Sequence, residues 1–190
     1  MTTSIFAGCF FLFFGTVFFS PSSFSAPIPG TATSTLVSPH LGLFRSPAGF
    51  QVSAGTSGWT HSEAPAGNKL IATLYTAPAT KTKSKDLASL TVRVDKLSKD
   101  IPIKNYVQRW MKEYPKYGFD VLGSKPFAQN KQKGYVLDLV NRDSGKQLRQ
   151  VVFLAKQKAV IFTCRDQAKT FKDALKGCNQ IVRTFQWTAE

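Results

Sequence analysis

The sequence predicts an α+β fold, a mostly antiparallel β-sheet flanked by helices. Three observations carry that prediction. Segments with apolar residues at every second position follow one another across short polar turns, which is the pattern of an antiparallel meander. Two other segments repeat their apolar residues every three or four positions, one between the strand runs and one after the last of them. Strands and helices are therefore grouped and do not alternate strictly, which argues against a parallel α/β sheet. The 190 residues suit one domain preceded by a processed leader.

No charged side chain occurs before Arg45, and Ile5 to Phe19 is a 15-residue apolar run. That length matches the hydrophobic region of a signal peptide, about 7–15 residues, and falls short of the roughly 20 needed to span a bilayer. The small residues that follow place cleavage after Ser25, with Ser23 and Ser25 at the small-residue positions. Residues 1–25 are thus expected to be a signal peptide and residues 26–44, rich in Ser, Thr, Pro, Gly and Ala, a flexible linker. The domain is expected over residues 45–190. Export places it in a periplasmic or extracellular setting, tethered to the membrane if the leader is not cleaved. Cys9 lies too early, ahead of most of the apolar run, to be a lipidated cysteine.

Within the domain, Phe50 to Ala54 and Lys69 to Ala77 read as strands, the second stopped by Pro78. Leu87 to Lys96 alternates: Leu90, Val92 and Val94 share one face, and Ser89, Thr91, Arg93 and Asp95 the other. From Pro102 the period changes. Ile103, Tyr106, Val107, Trp110, Met111 and Tyr114 form one helical stripe, with Lys104, Arg109 and Lys112 elsewhere, and Pro115 is expected to end the helix. A Met and aromatic stripe of this kind is core packing.

Three strands are expected next, Gln132 to Asn141, Lys146 to Ala155 and Val160 to Arg165. The turns between them are Arg142-Asp143-Ser144-Gly145 and Lys156-Gln157-Lys158. The chain then closes with a helix from Asp166 or Gln167 to Arg183, its apolar face marked by Phe171, Leu175, Cys178, Val182 and Phe185. Gly177 interrupts it at a cost of about 1 kcal/mol relative to Ala.

This order resembles a known family. Phe-x-x-Pro-x-Gly-Phe (Phe44 to Phe50) leads to Gly58-Trp59, then to the strands and the Ile103–Tyr114 helix. The meander GYVLDLVNRDSGKQLRQVVFLAKQKAVIFTC and a helix ending in Ile181-Val182-Arg183-Thr184-Phe185 follow. The pattern is similar to PsbP-like and DcrB-like exported proteins, whose α/β/α sandwich also serves a eukaryotic Ran-binding import factor. The resemblance implies a binding or accessory role with no shared catalytic residue, and no photosystem metal site is matched here.

Candidate chemistry is sparse. Cys164 ends a strand and Cys178 lies on the apolar helix face 14 residues later, a pairing that in an exported protein reads as a disulfide. Two buried thiols are the alternative. Asp138, between Leu137 and Leu139, is expected to pair with Arg149 on the next strand. Asp95 and Asp100 read as a strand end and a helix-cap region. His61 is expected in a surface loop after Trp59. No GxSxG, P-loop, HExxH or CxxC motif occurs. The sequence therefore names no catalytic residue, metal ligand or cofactor.

Charge is the remaining signal. The chain carries a net charge of +14, and removing residues 1–25 leaves it unchanged. Lys81 to Lys133 holds 13 basic and 5 acidic residues; Arg142 to Arg183 holds 10 and 3. Such a surface attracts acidic proteins, anionic lipid, lipopolysaccharide or nucleic acid, although simple solubility is the blander explanation. Lys81, Lys83 and Lys85 form the best local candidate for an anion contact. Aromatic residues are not interleaved with them, which disfavours nucleic acid. The function expected is an exported, non-enzymatic binding or accessory protein touching an envelope component or protein partner through its basic surface. The alternatives are a secreted effector or enzyme with a degenerate site around His61, Asp95 and Asp138, or a secretion-system adaptor.

Overall fold

The computed structural model describes residues 42–79 and 87–188. The strands are β1 (Phe44–Ser46), β2 (Phe50–Val52), β3 (Thr60–Glu63), β4 (Ile71–Thr76), β5 (Ser89–Lys96), β6 (Phe119–Gln129), β7 (Gln132–Asn141), β8 (Lys146–Ala155), β9 (Lys158–Gln167) and β10 (Gln186–Trp187). The helices are α1 (Ile103–Glu113), continued by a 3-10 turn over Tyr114–Tyr117, and α2 (Phe171–Arg183). Seven strands form one antiparallel sheet in the order β3-β4-β5-β9-β8-β7-β6, and β1-β2-β10 form a small second sheet.

The helices take opposite faces of the large sheet. Val151 and Phe153 of β8 and Val160, Phe162 and Cys164 of β9 pack with Phe171, Ala174, Cys178, Ile181 and Val182 of α2. The residues between them, Val152, Ala159 and Ile161, pack with Tyr106 and Val107 of α1. Burial on both faces explains why β8 and β9 read as nearly continuous apolar runs. The small sheet joins the α2 layer through Phe50 and Val52. Phe185, directly after α2, stacks on Phe153 with centroids 4.3 Å apart and also meets Phe50, Phe162 and Trp187. The architecture is the α+β, α/β/α sandwich expected.

Several boundaries differ from expectation, each for a tertiary reason. β1 begins at Phe44, inside the stretch read as linker, because Phe44 pairs with Val52 and its ring meets Phe50. His61 is on edge strand β3, not in a loop. Pro115 does not stop the chain turning: proline is tolerated early in the 3-10 turn, which ends at Gly118 with φ of 77°. The N-cap of α1 is Pro102 with no side-chain cap bond, so Asp100 caps nothing. β9 runs on to Gln167, paired with Lys146, and this delays α2 to Phe171.

β6 is an additional strand. A bulge at Leu122 inserts one residue between the Val121–Leu139 and Gly123–Asp138 pairs. The insertion switches the strand's faces, so Phe119 and Val121 serve the core under α1 while Phe127 serves the core under α2. The bulge and Pro126 are tolerable because β6 is an edge.

The disulfide is present between Cys164 of β9 and Cys178 of α2, with Cα atoms 6.1 Å apart. Gly177 also acquires a reason. The indole of Trp59, 8% exposed, lies against it, and a Cβ there would fall on Trp59 Nε1 and Cε2 well inside contact distance. Gly177→Ala is therefore expected to lower stability by about 1–3 kcal/mol, the range for overpacking, although Ala is the better helix former. Chemical denaturation of the two proteins checks this. The same assay with and without reductant is expected to show a loss of about 3 kcal/mol on opening the Cys164–Cys178 loop.

Candidate functional site

α1 offers the most distinctive surface among the described residues. Its inward stripe is the one expected: Tyr106 and Val107 are buried, Tyr114 is buried in the turn that follows, and Ile103, Trp110 and Met111 are half-buried. Its outward face carries Lys104, Arg109 and Lys112, all exposed, and Lys116 continues the row. Lys104 and Lys112 lie about two helical turns apart, which puts them on one side of the rod. Glu113 is the only acidic residue of α1, and Lys116 Nζ donates to it at 3.0 Å. Arg109 is held down over the rings of Tyr106 and Trp110, at 5.6 and 6.0 Å from their centroids. The basic row thus stands on an ordered base.

Beneath the helix is a polar network. Arg93 Nη2 donates to Asp95 Oδ2 at 3.2 Å, with Arg93 Nε 3.0 Å from Oδ1. The Tyr106 hydroxyl donates to the same carboxylate, and the Arg93 guanidinium lies 5.1 Å from the Trp110 ring centroid. Tyr114 donates to Gln150. Burial, reinforced for Tyr106 by the Asp95 hydrogen bond and charge, pushes both phenols above their ordinary range. They stay protonated as donors. The network fixes α1 to β5 and β8.

The residues of the enzyme alternative are not brought together. Asp95 faces α1. Asp138 on β7 receives Arg149 Nε and Nη2 at 2.7 and 2.9 Å, the cross-strand pair expected. His61 on β3 has Nε2 2.6 Å from Thr73 Oγ1, and its ring lies between Phe44 and Tyr75. β3 and β7 are five strands apart in the sheet, roughly 24 Å. Among the described residues no group of three or more His, Cys, Asp or Glu could hold a metal ion. Lys81, Lys83 and Lys85 lie outside the described residues. The basic row of α1, by contrast, was present in the sequence as cations off the apolar stripe, and their spacing was the signal.

A groove of about 440 Å³ separates the β6–β7 hairpin from the end of α2. Three of its polar side chains are already engaged. Arg149 holds Asp138, while Gln129 and Asn130 donate to the Val182 and Arg183 carbonyls at 2.9 and 3.2 Å and so cap the helix.

Taken together, a seven-stranded antiparallel sheet with one helix on each face and a small accessory sheet define the PsbP-like fold. Solved structures with this fold confirm the likeness. CyanoP, the cyanobacterial PsbP of Synechocystis sp. PCC 6803, has a TM-score of 0.55 at 12% identity over 77% of this chain and 92% of its own. PA94 of Pseudomonas aeruginosa, a protein of unknown function, has 0.56 at 17% identity, covering 79% and 99%. LpqN of Mycobacterium tuberculosis, involved in cell envelope biogenesis, has 0.50 at 13% identity, covering 76% and 82%. No family model and no curated protein matches the sequence. At these identities the likeness concerns the fold.

His61 gives this region a pH response. Burial holds its imidazole below the ordinary 6.5, outweighing the opposing pull of the Glu63 carboxylate. The folded state thus favours the neutral ring. Its contribution to stability is complete above pH 6.5 and is lost as pH falls through the depressed native value. Urea denaturation at pH 7.5, 6.5 and 5.5 is expected to show falling stability, and His61→Gln is expected to flatten that slope. An unchanged slope in the variant would place the titration elsewhere.

Proposed function

We propose that this chain is an exported, non-enzymatic accessory protein that contacts an anionic envelope component through the outward face of α1. The row Lys104, Arg109, Lys112 and Lys116 carries this reading, because its cations point away from the core with one paired carboxylate beside them. Cations near an anionic lipid surface contribute about 1 kcal/mol each, and the row keeps three unopposed cations beside the Lys116–Glu113 pair. The envelope setting is supported by the leader expected at residues 1–25. A disulfide, a bond that persists in oxidising compartments, also supports it. The fold neighbour LpqN belongs to envelope biogenesis. The non-enzymatic part is supported by the engagement of His61, Asp95 and Asp138 in separate structural pairs.

Cosedimentation with phosphatidylglycerol and phosphatidylcholine vesicles tests the proposal. Binding is expected to the anionic vesicles alone, to weaken at least tenfold between 50 and 300 mM NaCl, and to disappear in Lys104→Glu/Lys112→Glu. Equal binding to both lipids, or binding indifferent to the charge reversal, would remove the basis for the reading and favour an acidic protein partner or a solubility role.

A further inference from the structure

Among the described residues four large apolar side chains stand exposed: Leu70, Leu87, Tyr117 and Leu122. Tyr117 and Leu122, 63% and 56% exposed, are close together in the chain. Tyr117 ends the 3-10 turn that continues α1, and its neighbour Lys116 is the last cation of the row on that helix. Leu122 is the residue that the β6 bulge leaves without a partner on β7. A bulge re-aims a side chain, and this one does so next to Val121, which packs in the cluster of Tyr114. Both apolar side chains therefore stand at one corner, where α1 runs out and edge strand β6 begins.

The corner is tied down. The Arg142 guanidinium donates to the Pro115 carbonyl and to Asp120 Oδ1, each at 2.9 Å, and its backbone N–H donates to the Gly118 carbonyl at 2.9 Å. The rings of Tyr114 and Phe119, on either side of the turn, meet with centroids 6.1 Å apart. A surface already held in one conformation gives up little freedom when it docks. Two carboxylates here are paired, Glu113 with Lys116 and Asp120 with Arg142, and Asp143 comes near Gly118. The corner is thus close to charge balance, while Lys104, Arg109 and Lys112 along α1 stay cationic and exposed.

We propose that Tyr117 and Leu122 insert into the interfacial layer of an anionic bilayer while the α1 row lies on its headgroups. The proposal rests on the reading of α1 as the contact face, and it names the bilayer itself as the partner. Cations alone give an attachment that salt screens away. Stable attachment takes a second signal, and apolar side chains continuous with a basic patch supply one. Tyrosine, a ring with a polar tip, suits the boundary between headgroup and acyl chain, and leucine suits the apolar side of it.

Bromolipid quenching of the full chain tests insertion. With phosphatidylglycerol vesicles carrying brominated acyl chains, Leu122→Trp is expected to lose more emission than wild type. Leu70→Trp, beside β4 and five strands from β6, is expected to match wild type. In cosedimentation, Tyr117→Ser/Leu122→Ser is expected to bind phosphatidylglycerol at least tenfold more weakly, because burying a leucine alone contributes roughly that factor. Equal quenching in Leu122→Trp and Leu70→Trp overturns the insertion, and the α1 row still stands where Lys104→Glu/Lys112→Glu abolishes binding. Quenching of Leu122→Trp that survives that charge reversal supports the corner and overturns the row. No binding of wild type to phosphatidylglycerol overturns both. A fall in sedimentation-equilibrium mass in Tyr117→Ser/Leu122→Ser assigns the corner to a second copy of this chain and overturns the bilayer as partner. The quenching comparison leaves Tyr117 in place and decides the proposal even where the double serine variant is destabilised.

Discussion

β8 and β9 have apolar side chains on both faces, and this is the constraint the remaining structure answers. A strand pair of that composition is stable only when both faces are shielded from water, so one helix is required above it and another below. α2 answers on one side with Phe171, Ala174, Cys178, Ile181 and Val182, and α1 on the other with Tyr106 and Val107. The disulfide joins β9 to α2 where strand and helix meet. The Arg93–Asp95–Tyr106 network does comparable work for α1 without a covalent bond. Both helices are thereby fixed in rotation, which determines the side chains they turn outward.

That rotation is what makes a surface of α1. With Tyr106 and Trp110 held against the sheet, the same helix turns its Lys and Arg residues away, and Arg109 lies across the aromatic rings beneath it. A PsbP-like fold does not by itself set a function, which resides in the side chains it presents. Two groups of ionisable side chains stand out among the described residues. Asp138, Asp95 and His61 are spent on internal pairs that hold strands and helices, while the cations of α1 and the end of β9 are left facing solvent.

Legibility in the sequence followed how regular each element's surroundings are. β5 shows a clean period of two because one face meets the α2 core and the other is polar over most of its length. The Asp138–Arg149 pair was readable because adjacent strands joined by a short turn fix their own register. β6 was not readable: its bulge moves the apolar residues from one face to the other halfway along, and its Gly and Pro imitate a loop. β3 and β10 were missed for want of length, being four and two residues long. Gly177 looked like a defect in α2 until Trp59, more than a hundred residues earlier, was found lying on it.

By itself, then, the sequence determined the α+β class, the central strands, the helical stripe of α1 and the basic character. Each of these is local or follows from composition, since period, turn residues and charge are properties of short segments. It left the Cys164–Cys178 bond beside the alternative of two buried thiols until the fold brought the two Cα atoms to 6.1 Å. Tertiary structure alone decided which strands became edges, where α2 begins, and why a glycine sits within it. It also decided that Thr76, Ser89 and Arg165 stand side by side. Those outcomes depend on contacts between residues remote in the chain, and hydrogen-bonded register across strands is what converts such separation into neighbourhood.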